Sequence, residues 1–375
     1  MFRLRLAGFR CYESAQLDLD ARPVVLTGAN GAGKTNLLEA ISLLAPGRGL
    51  RGARLDEMDR HGAPEGEGWT VAAAVATPGG MVEIGTGHRP ETVNRRVVRI
   101  DGKQSRSQTG LSDHVSAVWL TPPMDRLFTE GASGRRRFLD RLVFGFDTAH
   151  AGRVSAYEHT LRERARLLRE GGDAVWLDTL EGDMAERGVA IAAARRELTA
   201  RLARLCEAPA GLFPGAAVAV TGQVEEWLDD GPALAAEERL RAALRDSRPQ
   251  DAAAGGAAVG PHRSDLAVRH LGHGMPAALC STGEQKALLI AIVLANARLQ
   301  TAERGRVPLL LLDEVAAHLD AARREALFAE ILALGAQTWF TGTDRSVFDS
   351  FSAGQAQYVA VRAGRLEPAT GRDPF

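Results

Sequence analysis

The chain has 375 residues, with 46 Lys and Arg against 47 Asp and Glu, for a formal net charge of −1. Near-neutrality excludes a chain that binds nucleic acid through bulk charge, so any DNA surface must come from local basic clusters. Hydrophobic residues at 45% and charged residues at 25% suit a globular protein of two or three lobes, while three widely spaced cysteines, Cys11, Cys206 and Cys280, offer neither a disulfide framework nor paired metal-ligand spacing.

Phe2 to Asp20 alternates apolar and polar residues twice around Gly8-Phe9-Arg10, which predicts a hairpin and not a signal peptide. Val24-Val25-Leu26 reads as a short buried strand. It runs into Gly28-Ala29-Asn30-Gly31-Ala32-Gly33-Lys34-Thr35, a full match to G-x-x-x-x-G-K-[ST], after which Asn36 to Leu44 has helical spacing. Each residue type has a task. Glycines let successive backbone N–H groups curl toward phosphate, Lys34 brings charge to the β and γ phosphates, and Thr35 offers a hydroxyl to Mg²⁺. The following helix aims its positive end at the same anion.

Trp69 to Ile100 contains short β-type runs split by glycines, which predicts a small antiparallel sheet. Arg95, Arg96, Arg99 and Lys103 form a basic run there, the foremost candidate for a DNA contact on this lobe. Ser116 to Leu120 reads as another buried strand. From Arg135 to about Leu205 the chain turns to Ala, Leu, Arg and Glu at helical spacing, with a break at Gly171-Gly172 before a long helix over about Ala174 to Cys206. Arg135 and Arg136 at the start of this stretch read either as phosphate contacts or as part of a solvated face pairing with Asp140.

Residues 251–259 read as a small-residue linker, after which β character returns. Ser281-Thr282-Gly283-Glu284 precedes a helix over Gly283 to Gln300 and fits a capping box, with Ser281 as N-cap and Glu284 three residues on. Leu309 to Leu312 is an apolar strand ending in Asp313-Glu314. Asp313 is placed to hold Mg²⁺ and Glu314 to polarise an attacking water, so Lys34, Asp313 and Glu314 are the candidate catalytic groups and Thr35 and Asp313 the candidate metal ligands. A helix over Ala321 to Leu334 and a strand over Thr338 to Thr341 follow. The apolar run Val307 to Leu312 is too short to cross a bilayer, and a cytoplasmic protein without membrane partners is expected. The expected organisation is an α/β head split in sequence, 1–134 and 258–375, around a mainly helical arm at 135–257.

The order of phosphate loop, Ser281-Thr282-Gly283-Glu284, acidic strand and Ala317-His318-Leu319-Asp320 resembles the order of P-loop, signature, Walker B and D-loop in the ABC ATPase superfamily. The interval between Lys34 and Ser281 is longer than in transporter subunits and lacks the sustained heptads of SMC coiled coils. It is similar to that of the RecF family. Leu4 to Tyr12 resembles that family's L-x-N-F-R-x-Y opening, and Gly47-Arg48-Gly49-Leu50-Arg51 resembles its G-R-S-x-R segment, with Gly49 in place of Ser. Arg135 to Asp140 resembles R-R-x-F-L-D, and Gly260 to Leu266 resembles G-P-H-R-x-D-L, the most distinctive string.

The resemblance implies an ABC-type P-loop ATPase head with an antiparallel β lobe and an inserted helical arm. It implies ATP and Mg²⁺ as cofactors, held by the loop Gly28 to Thr35 and by Arg10. Ser281, Gly283 and Glu284 would reach the nucleotide of a second copy, giving an ATP-dependent head-to-tail homodimer. The activity implied is a weak DNA-dependent ATPase acting on duplex DNA and single/double-strand junctions. Its implied partners are RecR and RecO, in loading RecA during repair, recombination, replication restart and the SOS response. The alternative is an SMC-like ATPase partner of a nuclease, or another soluble ABC ATPase. Two departures argue against fast hydrolysis: Thr343 stands where the superfamily's switch His is expected, and Ser116 to Pro122 contains no Gln.

Overall fold

A computed structural model describes residues 1–64, 66–89, 95–105 and 107–368. In chain order the elements are β1 (Arg3–Phe9), β2 (Tyr12–Asp18), β3 (Val24–Thr27), α1 (Lys34–Ser42), β4 (Trp69–Thr77), β5 (Gly80–His88), β6 (Arg96–Ile100), β7 (Lys103–Gln104) and β8 (Ala117–Leu120). There follow α2 (Ala132–Phe144), α3 (His150–Arg169), α4 (Ala174–Cys206), β9 (Ala216–Thr221), α5 (Gln223–Asp230), α6 (Ala233–Asp246), α7 (Arg248–Ala254), β10 (Asp265–His270) and β11 (Met275–Pro276). The chain closes with α8 (Thr282–Arg304), β12 (Leu309–Leu312), α9 (Ala321–Leu334), β13 (Thr338–Gly342), β14 (Gln357–Arg362) and β15 (Arg365–Pro368).

Two compact units result. The first comprises Met1–Asp125, Gly211–Phe213 and Asn296–Phe375, and the second Arg126–Ala210 and Pro214–Ala295. These bounds differ from the expected breaks after residues 134 and 257. The reason lies in β9, which pairs antiparallel with β10 from Ala216↔His270 to Thr221↔Asp265. That pairing ties the helical stretch to the β segment after it, and the division falls within α8. The linker reading of 251–259 is also corrected, since Asp251 to Ala254 belong to α7 and Asp251 is buried.

In the first unit, an antiparallel sheet runs in the order β2-β1-β4-β5-β6-β7 and a second sheet in the order β15-β14-β3-β13-β12-β8. Strand β1 buries Leu4 and Leu6 while Arg3 and Arg5 face solvent, the alternation of a half-buried strand. Strands β3, β12 and β13 are buried at every position, as parallel strands covered on both faces are. Leu37 and Ile41 of α1 share one core with Leu4, Leu6 and Trp69 of the first sheet and with Leu26, Leu311 and Trp339 of the second. This places the start of α1 beside the carboxyl ends of β3 and β12. The order β3-β13-β12 inserts a strand between the phosphate-loop strand and the acidic strand.

In the second unit, α3, α4, α5 and α6 enclose Tyr157, Met184, Val189, Ala192, Val224 and Leu240. Buried charges brace this core. Arg195 on α4 makes two bonds to Asp140 on α2, each 2.8 Å, and donates to Pro261 O at 2.6 Å. Burial opposes the Asp140 charge, but Arg195 and His150 more than offset it and hold the carboxyl down at about 2. Arg164, 1% exposed, meets Glu181 at 2.9 Å and Asp251 at 2.8 Å.

His262 lies in the same unit, 2.9 Å from Tyr157 Oη, with Nε2 2.9 Å from Ala257 O. Burial lowers its pKa to about 4. A folded pKa below the unfolded value of about 6.5 means that the unfolded chain takes up this proton first. Stability should therefore fall as pH drops from about 6.5 toward 4. Thermal melts across that window should show a shallower slope for His262→Asn than for the parent; equal slopes would remove His262 as the cause.

Candidate active site

The loop between β3 and α1 is held open by its neighbours. Gly33 has φ 117°, and a Cβ there would stand 2.7 Å from Cys11 Sγ and 2.9 Å from Tyr12 Oη. Tyr12 Oη donates to Gly33 O at 2.9 Å, so the hairpin fixes the last turn of the loop. Gly28 has φ 153°, and a Cβ would collide with the Val361 carbonyl of β14. The backbone of Ala32 is tied from the far side by Gly364 N–H at 3.1 Å.

Lys34 is buried, and its ammonium donates to Gly28 O at 2.6 Å and Ala29 O at 2.9 Å. Burial lowers its pKa, while the charges of Glu314 and Asp313 oppose that shift. Both carboxylates of the acidic strand end therefore sit within electrostatic reach of the loop lysine. Thr35 Oγ1 donates to Asp313 at 3.0 Å. That pair, hydroxyl and carboxylate on neighbouring elements, is the donor set Mg²⁺ uses beside a nucleotide phosphate.

Thr341, at the end of β13, was not among the residues singled out by motif. Its hydroxyl donates to Asp313 Oδ1 at 2.7 Å and accepts the Glu314 N–H at 2.8 Å. Glu314 has φ 55°, a left-handed conformation costly for a side chain with a Cβ. The Thr341 bond pins its backbone there, one residue beyond Asp313. The signal available in the sequence was a hydroxyl residue closing the strand next to β12.

The switch position is also clear in geometry. Thr343 and Asp344 are exposed, and Asp344 caps a short helical turn by accepting the Ser346 N–H at 2.8 Å. Its carboxyl is held below the ordinary range by that bond. Asp320 of the D-loop string likewise caps α9, accepting the Arg323 N–H at 2.9 Å.

Arg10, with φ 55°, makes a two-pronged pair with Glu39 at 2.9 Å on both arms and donates to Glu57 O at 2.5 Å. Arg51 joins the same carboxylate at 2.6 Å. Glu39 is fully buried on α1, an acidic residue inside a helix pattern that motif reading passed over. It organises the arginines beside the loop.

Several expected DNA contacts need correction. Arg96 is buried and turned inward: it donates to Gly47 O at 2.7 Å, to Thr86 Oγ1 at 2.7 Å and to Leu43 O. Burial pulls its pKa down to about 10. Strand alternation explains this, since Arg95 and Arg99 fall on the opposite face and are exposed, as is Lys103. Arg135 forms a double bond pair with Asp265 at 2.6 and 2.9 Å, and Arg136 donates to Ser264 O at 2.9 Å. Both arginines tie α2 to the start of β10. The Gly260 to Leu266 string is thus a structural hub, because Pro261, His262, Ser264 and Asp265 all accept or exchange bonds with α2, α3, α4 or α5.

The signature residues lie in the second unit. Ser281 Oγ and N–H both donate to Glu284 at 2.8 Å, so the capping box is formed. Ser281 is exposed and Glu284 half-buried.

A glycine-rich phosphate cradle with its lysine, a hydroxyl–carboxylate pair and a following glutamate defines a P-loop ATPase site. The RecF/RecN/SMC N-terminal domain model matches residues 1–353, and the chain belongs to that class. Within it, the protein is 49% identical over 371 residues to the DNA replication and repair protein RecF of Rhizobium meliloti (strain 1021), covering 97% of each chain. It is 51% identical over 368 residues to that of Brucella suis biovar 1 (strain 1330), covering 97% and 95%. The chain is a member of the RecF family. The fold agrees with a solved structure of the recombination mediator protein RecF-ATP in the RecFOR pathway, at TM-score 0.83, 24% identity and coverage of 98% and 97%. An Smc head domain from Pyrococcus furiosus follows at TM-score 0.54 and 16% identity, covering 98% and 95%. The expected ABC-type head with an antiparallel β lobe is therefore the fold observed.

Proposed function

We propose that this chain is an ATP-dependent recombination mediator that closes on DNA as a head-to-tail dimer. ATP with Mg²⁺ binds at Gly28 to Thr35, with Thr35 and Asp313 on the metal and Glu314 orienting the attacking water. Ser281 and Gly283 of a second copy complete the site at the γ-phosphate. The dimer clamps duplex DNA at single-strand gaps, with RecR and RecO as partners in loading RecA, in the cytoplasm. Among the described residues no helix is long and apolar enough to cross a membrane. The observation that carries this reading is the intact Thr35–Asp313–Thr341–Glu314 relay in a chain half-identical to RecF proteins. Arg95, Arg99 and Lys103 are exposed cations of the β lobe that this reading offers to DNA phosphates.

Lys34→Ala tests the reading. Loss of a charge-assisted contact to phosphate should weaken ATP binding at least about tenfold. ATP-dependent retention on gapped duplex should fall with it. Unchanged retention on DNA in a variant that no longer binds ATP would contradict an ATP-driven clamp.

A further inference from the structure

Glu284 has two carboxylate oxygens, and the capping box uses one. Oε2 accepts the Ser281 N–H and O–H, each at 2.8 Å. Oε1 lies 3.0 Å from His273 Nε2, in the turn between β10 and β11. The His273 ring packs 4.3 Å from that of His270 at 36°, and a ring nitrogen of each histidine lies with a Glu284 oxygen inside 4.8 Å. Nothing in the nucleotide chemistry uses either histidine.

A neutral imidazole offers one ring-nitrogen lone pair to a metal. Glu284 Oε2 carries both Ser281 bonds, which leaves the anionic Oε1 facing His273. Lone pair and anion converging on one point are a donor set for a cation. Imidazole nitrogen disfavours Mg²⁺ and Ca²⁺ and suits a borderline ion such as Zn²⁺. Two His and one Glu are a known zinc set that leaves the fourth tetrahedral position to water. His270 is buried, and its Nδ1 accepts the His273 N–H at 3.2 Å, so it coordinates an ion by exchanging that bond, while the His273 side chain is 53% exposed and can rotate to close on the ion. The N-terminal N–H groups of α8 repel a bare cation, and the interposed carboxylate offsets that repulsion.

We infer that His270, His273 and Glu284 form a site for one Zn²⁺-class ion beside the signature turn. Occupancy locks Glu284 Oε1, and through Oε2 it holds the Ser281 hydroxyl and N–H in place. The ion therefore stiffens the turn that opens α8. Binding itself needs neither ATP nor a second copy, so it stands or falls apart from the proposed clamp.

The test uses the full-length protein, stripped of metal with a chelator and free of nucleotide, titrated with Co²⁺. A visible d–d absorption should saturate at one ion per chain, be displaced by Zn²⁺ and persist in excess Mg²⁺. His273→Ala should abolish it with the circular dichroism spectrum unchanged. Glu284→Gln can still cap Ser281 but loses the anionic ligand, and should weaken binding. Cys280→Ser should leave the band intact, separating this site from thiolate ligation. No saturable band in the parent, or a band that survives His273→Ala, would overturn the site and reduce the trio to a surface ion pair.

Discussion

Asp140→Ala should destabilise the second unit by about 3–5 kcal/mol, the cost of leaving a buried charge without its partner. Asp140 and Arg195 are 8% and 5% exposed at the side chain, and the pair makes two bonds of 2.8 Å. Removing the carboxylate strands the guanidinium and also the His150 Nε2 contact at 2.8 Å. For a unit of this size the melting midpoint should drop by about 10 °C. The sign with pH follows from the depressed carboxyl. Its contribution is present above the unfolded value of about 3.9 and is lost as pH falls through the folded value of about 2. The double replacement Asp140→Leu with Arg195→Met should recover much of the loss, because an apolar pair carries no desolvation penalty. A single variant within about 1 kcal/mol of the parent would show the pair to be solvated, as surface ion pairs are.

Glu314→Gln should slow single-turnover ATP hydrolysis by about 100-fold, the lower range for a positioned general base. The amide keeps the side chain's size but accepts protons poorly. The backbone clamp from Thr341 Oγ1 to Glu314 N–H at 2.8 Å does not depend on the side chain, so the variant's loop geometry should be preserved. ATP binding should therefore survive, and the lifetime on DNA should lengthen in step with the slower turnover. Asp344 is the competing carboxylate, but its oxygen is engaged by the Ser346 N–H. If hydrolysis in Glu314→Gln matches the parent, Glu314 is not the water-handling group, and Asp344 or Thr343 takes its place.

The parts of this site that could be read from sequence are those whose chemistry sits in consecutive residues. Gly28 to Thr35 names its own fold, because strand, loop and helix must follow one another for the amides to converge. The hairpin at Phe2 to Asp20 and the break at Gly171-Gly172 were legible through alternation and through glycine. Contacts between distant residues were not. Thr341 reaches Asp313 only because β13 lies beside β12, and strand order is not written in any local pattern. Arg96 counted as one of four surface cations until register assigned alternate residues to opposite faces. The domain breaks slipped for the same reason, since β9 was hidden in a helical stretch and its partner β10 lies more than forty residues on. Strands β14 and β15 also escaped, although β14 flanks the phosphate loop through Val361.

Ser281 is the residue on which the proposed dimer turns. It is exposed at the start of α8, and its hydroxyl is bonded only within its own capping box among the bonds described. Under the proposed function this turn takes an anion, the γ-phosphate of a second copy. Sedimentation of the parent and of Ser281→Arg, each with and without saturating ATP, should decide the matter. ATP should convert the parent from monomer to dimer, while Ser281→Arg should bind ATP normally and stay monomeric. A parent that remains monomeric at saturating ATP, with and without DNA, would contradict the proposed dimer.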